Sequence, residues 1–426
     1  MFEQDKKYKV AVIGSGISGI SAAWFLSQRH DVTLFEKNAK LGGHTNSIET
    51  EVSGEPTTVD TGFIVYNEPN YPLLKAMFKH LEVATHPTDM SFAVSIDQGR
   101  LEYAGNNLNT LFAQRKNLFS IRHWRMIKDI LRFNKLAKAD LIGGLNPNLS
   151  LGEYLTQNNF SETMQRDYLL PMAAAIWSCP TDTMLNFPAQ SFLQFFANHG
   201  LLNVNDRPQW RTVKQGAHQY LEKILALKRF QVVQQGVTEV FTSSSDKGVR
   251  IISADGESYQ FDHVVFACHA DQSYALLKDQ GFELLNHFQY QPNQAWLHTD
   301  VEQMPRIRSA WASWNYLSGQ DRQAKQAVAV TYWMNQLQPL GIQTDVFVTL
   351  NPITEPKADC VIQKIEYEHP VFDRAAMQAQ IELVNLQGHK NCWFVGAYCG
   401  YGFHEDGLAS SAQLAKHWQI NLPWEV

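Results

Sequence analysis

The chain contains few cysteines, and none of them lies in a local pattern that builds a scaffold. Only five of the 426 residues are Cys, and no two of them form a C-x-x-C pair. An odd number without paired spacing argues against a disulfide framework and against a structural zinc site. This usage fits a reducing compartment, and no metal site is expected.

Long apolar runs are also missing from the sequence. No stretch approaches the roughly 20 apolar residues that a membrane-spanning helix needs. The charged start, MFEQDKKYKV, leads straight into a strand pattern without the apolar core of a signal peptide. A net charge of -6 is mild and gives no reason to expect a nucleic-acid partner. We therefore expect a cytoplasmic protein, with contact to the surface of the inner membrane left open.

The first 36 residues carry a dinucleotide-binding pattern. Residues 8–13 (YKVAVI) are a β-branched apolar run typical of a buried strand. Gly14, Gly16 and Gly19 follow in G-x-G-x-x-G spacing, before a helix pattern and a second strand that ends at Glu36. These glycines permit a tight turn, the approach of pyrophosphate to backbone, and close packing of helix on strand. The helix start favours phosphate, and the Glu36 carboxylate suits ribose hydroxyls and would repel the 2′-phosphate of NADP.

A second glycine pair, Gly42 and Gly43, lies in NAKLGGHTNS, and TVDTGFIVYN follows it. Alone, the pair could be an ordinary loop. In this order the segments resemble the superfamily of flavin-containing amine oxidases, protoporphyrinogen oxidase and phytoene desaturase. Its members carry the same fingerprint, the acid, and a Gly-Gly pair near the flavin-side phosphates. An Arg usually follows the pair there, whereas this chain has His44. The resemblance implies FAD as the cofactor.

The C-terminal segment VGAYCGYGFHEDGLASS extends the resemblance. In the superfamily this strand–turn–helix segment lies along the flavin ring, and the helix start faces the edge of the ring that becomes negative on reduction. The glycines are interpreted as room for a flat ring. Tyr398, Phe403 and His404 are predicted to face the reacting carbon, although His404 could instead be a structural turn residue. Cys399 could be a covalent flavin anchor or simply buried.

The resemblance implies cofactor contacts from several stretches of the chain. These are Gly14, Gly16, Ile17, Ser18, Gly19, Glu36, Lys37, Gly42, Gly43, His44, Thr45, Asp60, Thr61, Gly62, Val237, Gly396, Asp406, Gly407 and Leu408. Superfamily members often have an acid after the first glycine of the C-terminal turn, where this chain has Ala397.

The predicted fold is α/β with a discontinuous, Rossmann-like FAD-binding domain. We assign residues 1–80, 210–283 and 386–426 to that domain. Residues 81–209 and 284–385 are assigned to an α+β substrate-binding domain of mixed sheet and helices, with a helical insertion. Short strand patterns separated by turn residues support the strands of both domains.

The chemistry expected is hydride removal from a substrate C–H bond to FAD. A second nucleotide fingerprint is missing, so electrons should leave to oxygen, a quinone or a protein acceptor. The strand pattern QPNQAWLHTDV lacks the Lys that amine oxidases of this superfamily commonly place near the flavin. RDYLLPMAAAIWSCP and FFANHGLLNVNDRPQW resemble a bacterial branch of FAD-binding proteins associated with cyclopropane-fatty-acid-synthase-like methyltransferases.

That closer resemblance implies that the substrate is a fatty acyl chain of a membrane lipid and that a methyltransferase is a partner. Two alternatives stay open. One is a flavin amine oxidase acting on a small amine or polyamine. The other is a flavin-binding partner of a lipid methyltransferase without turnover of its own.

A basic segment in the middle of the chain bears on the lipid hypothesis. Its cations are Arg115, Lys116, Arg122, Arg125, Lys128, Arg132, Lys135 and Lys138. The apolar residues that recur among them at helical spacing are Ile121, Trp124, Ile127, Ile130 and Leu131. The pattern predicts a basic amphipathic helix, which suits an anionic lipid surface or a solvated face over a helical core.

Two aromatic positions have plain structural interpretations. His199, next to Gly200, is interpreted as a cation at a helix C-terminus. Trp314 could line a substrate cavity, but an aromatic residue in a strand is usually part of the core.

Overall fold

The computed structural model describes residues 6–146, 149–177, 184–203, 207–242, 248–278, 280–320 and 326–425. None of the helices in these ranges combines the length and apolar character needed to cross a membrane.

The strands are numbered along the chain. They are β1 Lys9–Ile13, β2 Asp31–Phe35, β3 Ser47–Val52, β4 Glu55–Asp60, β5 Tyr66–Asn67, β6 Thr85–Thr88, β7 Phe92–Ile96, β8 Leu101–Ala104, β9 Trp210–Val213, β10 Gln231–Val233, β11 Val237–Thr242, β12 Val249–Ser253, β13 Ser258–Phe261, β14 His263–Phe266, β15 Tyr290–His298, β16 Trp314–Gln320, β17 Gln326–Trp333, β18 Phe347–Leu350, β19 Val361–Pro370 and β20 Cys392–Phe394.

The α-helices are numbered in the same way. They are α1 Ile17–Leu26, α2 Pro72–His80, α3 Leu108–Leu111, α4 Ile121–Gly143, α5 Leu151–Gln157, α6 Glu162–Met164, α7 Leu170–Trp177, α8 Ala189–Asn198, α9 His218–Ala226, α10 Ala270–Leu277, α11 Met334–Leu337, α12 Arg374–Glu382 and α13 His404–His417.

A five-stranded parallel sheet with the order β10-β2-β1-β14-β20 forms the centre of the nucleotide half. Its central strand β1 is buried from Val10 to Ile13, as the continuous apolar run predicts for a parallel strand covered on both faces. Helix α1 is buried along its whole length and packs against α13. The predicted Rossmann-like α/β fold is therefore confirmed. A three-stranded sheet, β11-β12-β13, lies in the chain between β10 and β14.

A seven-stranded mixed sheet with the order β19-β15-β18-β17-β16-β7-β8 forms the second half. Two separate stretches of chain build it, because β7 and β8 join strands that come almost 200 residues later. The junction is a parallel pairing in which Phe92 lies beside Trp314, while the other neighbours are antiparallel. The predicted mixed-sheet domain, separate from the nucleotide half, is therefore present.

Helices between β8 and β9 cover one side of this sheet. Phe133 of α4 packs with Phe192 and Phe196 of α8 in one apolar cluster. A π-helical turn, Gln165–Leu169, connects α6 to α7. Such turns are rare and often mark functional sites.

Part of the apolar face of helix α4 is exposed. Ile121, Trp124 and Leu131 are exposed, whereas His123 and Met126 are among the residues that face the core. Three of the five apolar positions of this segment are therefore exposed, and the choice between a lipid surface and a solvated face stays a prediction.

The domain limits given from the sequence stay a prediction. The apolar clusters show which half of the molecule two segments near those limits pack against. Phe282 and Leu285 pack with Phe266 of the parallel sheet. Ala376 and Ala379 of α12 belong to the same cluster. Helix α12 therefore lies beside the nucleotide half, although residue numbers 374–382 fall in the segment assigned to the substrate domain.

Close packing of α1 on the turn before it makes Gly19 irreplaceable. A Cβ at Gly19 would lie 1.8 Å from the backbone oxygen of Gly14. We expect Gly19→Ala to lower the free energy of unfolding by about 3 kcal/mol or more, since backbone must move to admit the methyl group.

The matched control is Gly143→Ala in the last turn of α4, where a Cβ would meet nothing within 4 Å. We expect this variant to change stability by about 1 kcal/mol at most, in the favourable direction. Denaturant unfolding of both variants provides the measurement. Equal stabilities would contradict the packing argument.

Candidate cofactor and substrate site

One cavity of about 1170 Å³ runs between the parallel sheet, the mixed sheet and the helical layer. The residues that follow the carboxyl ends of four parallel strands line it: Gly14 after β1, Glu36 after β2, Ala267 after β14 and Gly396 after β20. This edge of an open parallel sheet is where such folds bind ligands. The cavity exceeds the roughly 300–1,000 Å³ of an ordinary ligand pocket, so it can hold a dinucleotide together with a substrate.

The fingerprint turn leaves its backbone open to the cavity. Gly14 has φ +101° and donates its N–H to the carbonyl of Phe35 at 2.8 Å. A Cβ at Gly16 would meet no atom within 4 Å. Gly43 lies opposite, since its Cβ would be 3.3 Å from the Gly16 Cα. Both line the cavity. Two bare stretches of backbone thus lie side by side in the cavity wall, where a pyrophosphate can approach them; we call this part of the cavity the glycine channel.

Glu36 joins the two glycine-rich turns. Its Oε2 accepts hydrogen bonds from the Ser15 N–H at 3.0 Å and the Ser15 hydroxyl at 2.7 Å. Its Oε1 accepts from the Asn38 N–H at 2.9 Å. The Ser15 oxygen in turn accepts from the Gly42 N–H at 3.0 Å. Oε1 keeps a further lone pair for a ribose hydroxyl, whereas Ser15 occupies both lone pairs of Oε2. Ser15 was missed from the sequence, where it is only the x of G-x-G.

Two helix starts point into the cavity. Ile17 and Ser18 of α1 and His404 of α13 are all in its lining. The first N–H groups of a helix have no partner within it, and the helix dipole places partial positive charge there. The pair therefore suits negative charge at two points, the phosphates and a reduced ring.

The glycines of the C-terminal turn make room mainly for the protein itself. A Cβ at Gly396 would lie 2.3 Å from the Tyr398 ring, and one at Gly400 would lie 2.4 Å from the Asp406 carboxylate. A Cβ at Gly407 would meet Ser18 of α1 at 2.7 Å. The sequence interpretation, in which these absent side chains leave space for a flavin ring, is thereby corrected.

His404 and Phe403 lie where the two halves of the cavity meet. The His404 ring stacks on Phe63 at 3.9 Å between centroids, and its Nε2 is 2.9 Å from the Tyr220 hydroxyl. The Phe403 ring stacks on Phe195 at 5.0 Å. Burial lowers the pKa of His404 to about 3. His404 is thus both a hydrogen-bonded residue of the turn and part of the cavity lining.

Other histidines in the lining are also uncharged at neutral pH. Burial lowers the pKa of His44, His199 and His269 to about 4 and that of His369 to about 3. The interpretation of His199 as a cation at the end of α8 is therefore wrong. It ends that helix, but its ring stacks on Phe195 at 3.8 Å and lines the cavity.

Three of these rings have a nitrogen without a hydrogen-bond partner among the described residues, and one of the three, His269 Nδ1, lies 3.5 Å from a Glu368 carboxylate oxygen. His44 Nε2 and His369 Nδ1 are buried without a hydrogen-bond partner in the described part of the chain. Both residues line the cavity, and their rings are 5.3 Å apart. Buried polar atoms normally find a partner, so a polar ligand beside the glycine channel would complete both. The residues present therefore fit a dinucleotide.

The predicted cofactor contacts divide into two sets. Those that line the cavity are Gly14, Gly16, Ile17, Ser18, Glu36, Lys37, Gly43, His44, Thr61, Gly62, Val237 and Gly396. Those that lie behind the lining are Gly19, Gly42, Thr45, Asp60, Asp406, Gly407 and Leu408. Tyr398, predicted to face the reacting carbon, lines the cavity with a buried and unpartnered hydroxyl.

The second set holds the lining in place. Asp60 accepts hydrogen bonds from the Ala217 N–H and the Gln338 side chain, at distances of 2.7 to 3.0 Å. Burial raises the pKa of Asp60 to about 7. Thr45 is hydrogen-bonded to the Tyr220 hydroxyl, which holds His404.

Tyr367 is a site residue that the sequence did not reveal. Its hydroxyl is 2.9 Å from the Thr61 hydroxyl and 3.0 Å from the Asn46 side chain, so a strand of the mixed sheet is tied to the nucleotide half. Tyr367 and His369 both line the cavity, two positions apart on β19. That period-two spacing was the available signal, but it does not say which face of the strand meets a ligand.

Apolar and aromatic side chains line the half of the cavity away from the fingerprint. They are Met90, Phe92, Tyr168, Met172, Ile176, Phe195, Trp210, Trp314, Tyr332, Leu350, Ile365, Phe372 and Phe403. Trp314 is therefore in the cavity lining. The charged side chains in the lining of this half are Arg207, Glu366 and Glu368, and all three are exposed.

Cys399 is placed poorly for covalent attachment of a cofactor. It is absent from the described lining of the cavity. Burial raises the pKa of its thiol to about 12, which leaves little of the nucleophilic thiolate.

Comparison with known proteins supports this arrangement at two levels. Residues 12–81 match the family model described as an NAD(P)-binding Rossmann-like domain. The 4,4'-diapophytoene desaturase (4,4'-diaponeurosporene-forming) of Staphylococcus aureus (strain bovine RF122 / ET3-1) is 48% identical over 44 residues. That match spans 10% of this chain and 9% of the desaturase.

Solved structures resemble the whole chain. A CLA-producing fatty acid isomerase from P. acnes has a TM-score of 0.69 at 15% identity and covers 99% of this chain, with 100% of its own chain covered. Wild-type putrescine oxidase bound to putrescine has a TM-score of 0.65 at 13% identity, covering 97% and 99%. The chain has the fold of the flavin amine oxidase and desaturase superfamily. The fold predicted from the sequence is confirmed at this level, and the residues of the glycine channel fit a dinucleotide, the class of cofactor to which the predicted FAD belongs.

Glu405 connects the starts of two helices next to the site. Its two oxygens accept hydrogen bonds from the N–H groups of Leu73 and Leu74 of α2, at 2.8 and 2.9 Å. Burial, followed by the charge of Asp406, raises the pKa of Glu405 to about 7, above its ordinary value of 4.5. The folded state therefore binds a proton more readily here than the unfolded state does.

This linkage predicts a pH-dependent effect of Glu405→Gln. The protonated carboxyl stabilises the fold fully below the unfolded pKa, and that contribution is lost as pH rises through the folded pKa. Glutamine does not titrate. The free energy of unfolding of the parent chain minus that of Glu405→Gln should therefore fall by about 2 kcal/mol between about pH 5 and 8.

Denaturant unfolding at several pH values measures this difference, and other titrating groups largely cancel because both chains contain them. Glu51→Gln, at an exposed position of β3, is the control and should show a constant difference. A constant difference for Glu405→Gln as well would contradict the raised pKa of Glu405 in the folded state.

Proposed function

We propose that the protein is an FAD-dependent oxidoreductase that removes hydride from a C–H bond of an apolar substrate, a fatty acyl chain of a membrane lipid. The observation that carries this proposal is the apolar and aromatic half of the cavity, which adjoins the dinucleotide channel. Bound FAD would supply the hydride acceptor. The rest of the chemistry is positioning and exclusion of water by the chain's own residues.

Different groups of the chain would bind the dinucleotide and stabilise charge on its ring. The backbone at Gly16 and Gly43, the start of α1 and the Glu36 carboxylate would hold the dinucleotide. The start of α13 would stabilise negative charge that develops on the bound ring. Each of these groups lines the cavity.

Residues at the junction would orient the substrate. Phe403 and Phe195 form an aromatic wall, and the neutral His404 ring is held by Phe63 and Tyr220. Because burial keeps the pKa of His404 near 3, the ring would offer hydrogen bonding without charge, which suits an uncharged carbon chain.

Two comparisons bear on the substrate. The fatty acid isomerase from P. acnes supports an acyl substrate, and putrescine oxidase represents the amine alternative. One observation favours an amine: Glu366 and Glu368 lie in the cavity lining and could attract an ammonium group. Both are exposed, and strand β15 carries no lysine. The acyl chain is therefore the substrate we favour. The association with a lipid methyltransferase stays a prediction.

The proposal is tested on the purified full-length chain in two steps. A visible spectrum, repeated after acid precipitation, is expected to show flavin that is released to the supernatant, because Cys399 is absent from the described cavity lining and the pKa of its thiol is raised. Anaerobic mixing with a fatty acid or phospholipid should then bleach the flavin, and putrescine should not.

Bleaching by amines alone would replace the proposal with the amine oxidase alternative. Flavin that no acyl or amine substrate bleaches would favour a non-catalytic flavin-binding protein. A colourless chain that takes up no added FAD would overturn the cofactor assignment itself.

Arg207 extends the substrate hypothesis to an acyl chain with an anionic head group. It lines the cavity next to Tyr168, and its positive charge partly offsets the rise that burial causes in the pKa of Tyr168, to about 12. Its guanidinium is exposed and also donates to the carbonyl of Asn203 at 3.1 Å. A cation at the rim of an apolar cavity would pair with the anionic head of an acyl substrate.

We expect Arg207→Gln to raise the KM for oleic acid about tenfold with little change in kcat, since a charge-assisted hydrogen bond contributes about 1.5–3 kcal/mol and this one is exposed. Oleic acid methyl ester, which has no charge, should be bound equally by parent and variant. Arg229→Gln, also exposed and outside the cavity lining, is the control. An equal KM for oleic acid in both variants would contradict a role for Arg207.

A further inference from the structure

Four apolar side chains form an exposed patch at the start of helix α4. The fractional exposure is 90% for Phe119, 86% for Ile121, 49% for Trp124 and 43% for Leu118. We call these four residues the α4 patch. Two of them lie at the end of a 3₁₀ turn, Arg115–Phe119, and the other two lie in the first turn of the helix.

The α4 patch is held in place by the fold. The Trp124 indole N–H donates to the carbonyl of Leu118 at 2.9 Å, and its ring lies 5.1 Å from Phe112. On the opposite side of the helix, His123 and Met126 are buried. The exposed side chains are therefore fixed outward, because the buried side of the same helix turn anchors them.

Cations surround the α4 patch, and the segment that carries them contains no acid. Residues 115–128 contain Arg115, Lys116, Arg122, Arg125 and Lys128, and no Asp or Glu. Arg122 is paired with Asp167 at 2.8 Å. Among the described residues, no ion pair involves Arg125 or Lys128. The next acid, Asp129, is already occupied by Arg132 and the Ser161 N–H.

We infer that the α4 patch and its cations dock on the surface of an anionic lipid bilayer. Apolar and tryptophan side chains enter the boundary between headgroups and acyl chains, and cations near that surface contribute about 1 kcal/mol each. The chain as a whole has a net charge of -6. A positive apolar surface on a negative protein would orient this face toward anionic lipid and turn the rest of the molecule away.

The fold connects this surface to the cavity. Arg122, beside the α4 patch, pairs with Asp167 of the π-helical turn. The next residue of that turn, Tyr168, lines the apolar half of the cavity. Met126 packs in the same apolar cluster as Phe92, which is also in the lining. Docking through the α4 patch would therefore bring the apolar half of the cavity close to the bilayer.

Vesicle sedimentation of the full-length chain tests the inference. We expect binding to phosphatidylcholine vesicles that contain phosphatidylglycerol, weaker binding at high salt, and little binding to phosphatidylcholine alone. Phe119→Ser combined with Ile121→Ser should lower the affinity about tenfold or more, since two exposed apolar anchors are lost. Arg125→Glu combined with Lys128→Glu should do the same and should weaken the salt dependence.

Each pair of substitutions has a matched control. Ile381→Ser with Val384→Ser changes two residues that are 70% and 69% exposed beside the nucleotide half. Lys214→Glu with Lys223→Glu makes the same change in net charge outside helix α4. Neither control should alter binding. The flavin spectrum and thermal unfolding of each variant show whether it has folded.

Three outcomes would overturn the inference. The parent chain could fail to bind anionic vesicles, the variants of the α4 patch could bind as well as their controls, or the patch substitutions could change the oligomeric state in gel filtration without changing lipid binding. The last result would assign the patch to contacts between copies of the chain. None of these outcomes affects flavin bleaching, so the inference and the proposed function fail separately.

Discussion

The hydrogen bonds at Glu36 are the interaction on which the site depends. A single carboxylate at the end of β2 accepts from both donors of Ser15, and Ser15 accepts from Gly42. The fingerprint turn and the second glycine loop are therefore held side by side, which brings the bare backbone of Gly16 and Gly43 together in the cavity wall. Charge-assisted hydrogen bonds in a buried setting are strong and directional, so the channel is formed before any ligand arrives.

Packing against the glycine channel positions the helices and the mixed sheet that form the rest of the site. Helix α1 approaches β1 closely because Gly19 has no side chain, and α13 approaches α1 closely because Gly407 has none. The two helix starts consequently point into one cavity. Tyr367 then ties the mixed sheet to Thr61 and Asn46, so the substrate half is positioned against the nucleotide half by side-chain hydrogen bonds.

The electrostatic character of the cavity follows from burial. The histidines in the lining have pKa values lowered to about 3 or 4, and the charged side chains of the apolar half lie exposed. An apolar half with neutral histidines and with one arginine among the charges at its rim suits a long apolar molecule with an anionic head. The α4 patch, next to the same half, would place that opening at the surface where such molecules are found.

The sequence by itself determined the nucleotide half: the βαβ unit with its glycines, the acid at the end of β2, and the strand–turn–helix at the C-terminus. These features are local, because a strand, a tight turn and a helix start are specified by neighbouring residues. Only the tertiary structure decided which groups fill the space beside Gly396, Gly400 and Gly407, since those contacts join residues from different turns and helices. It also decided that Ile121 and Trp124 face outward and that His199 is half-buried and neutral. Periodicity shows that residues share a face of a helix, but packing against distant segments decides whether that face is covered.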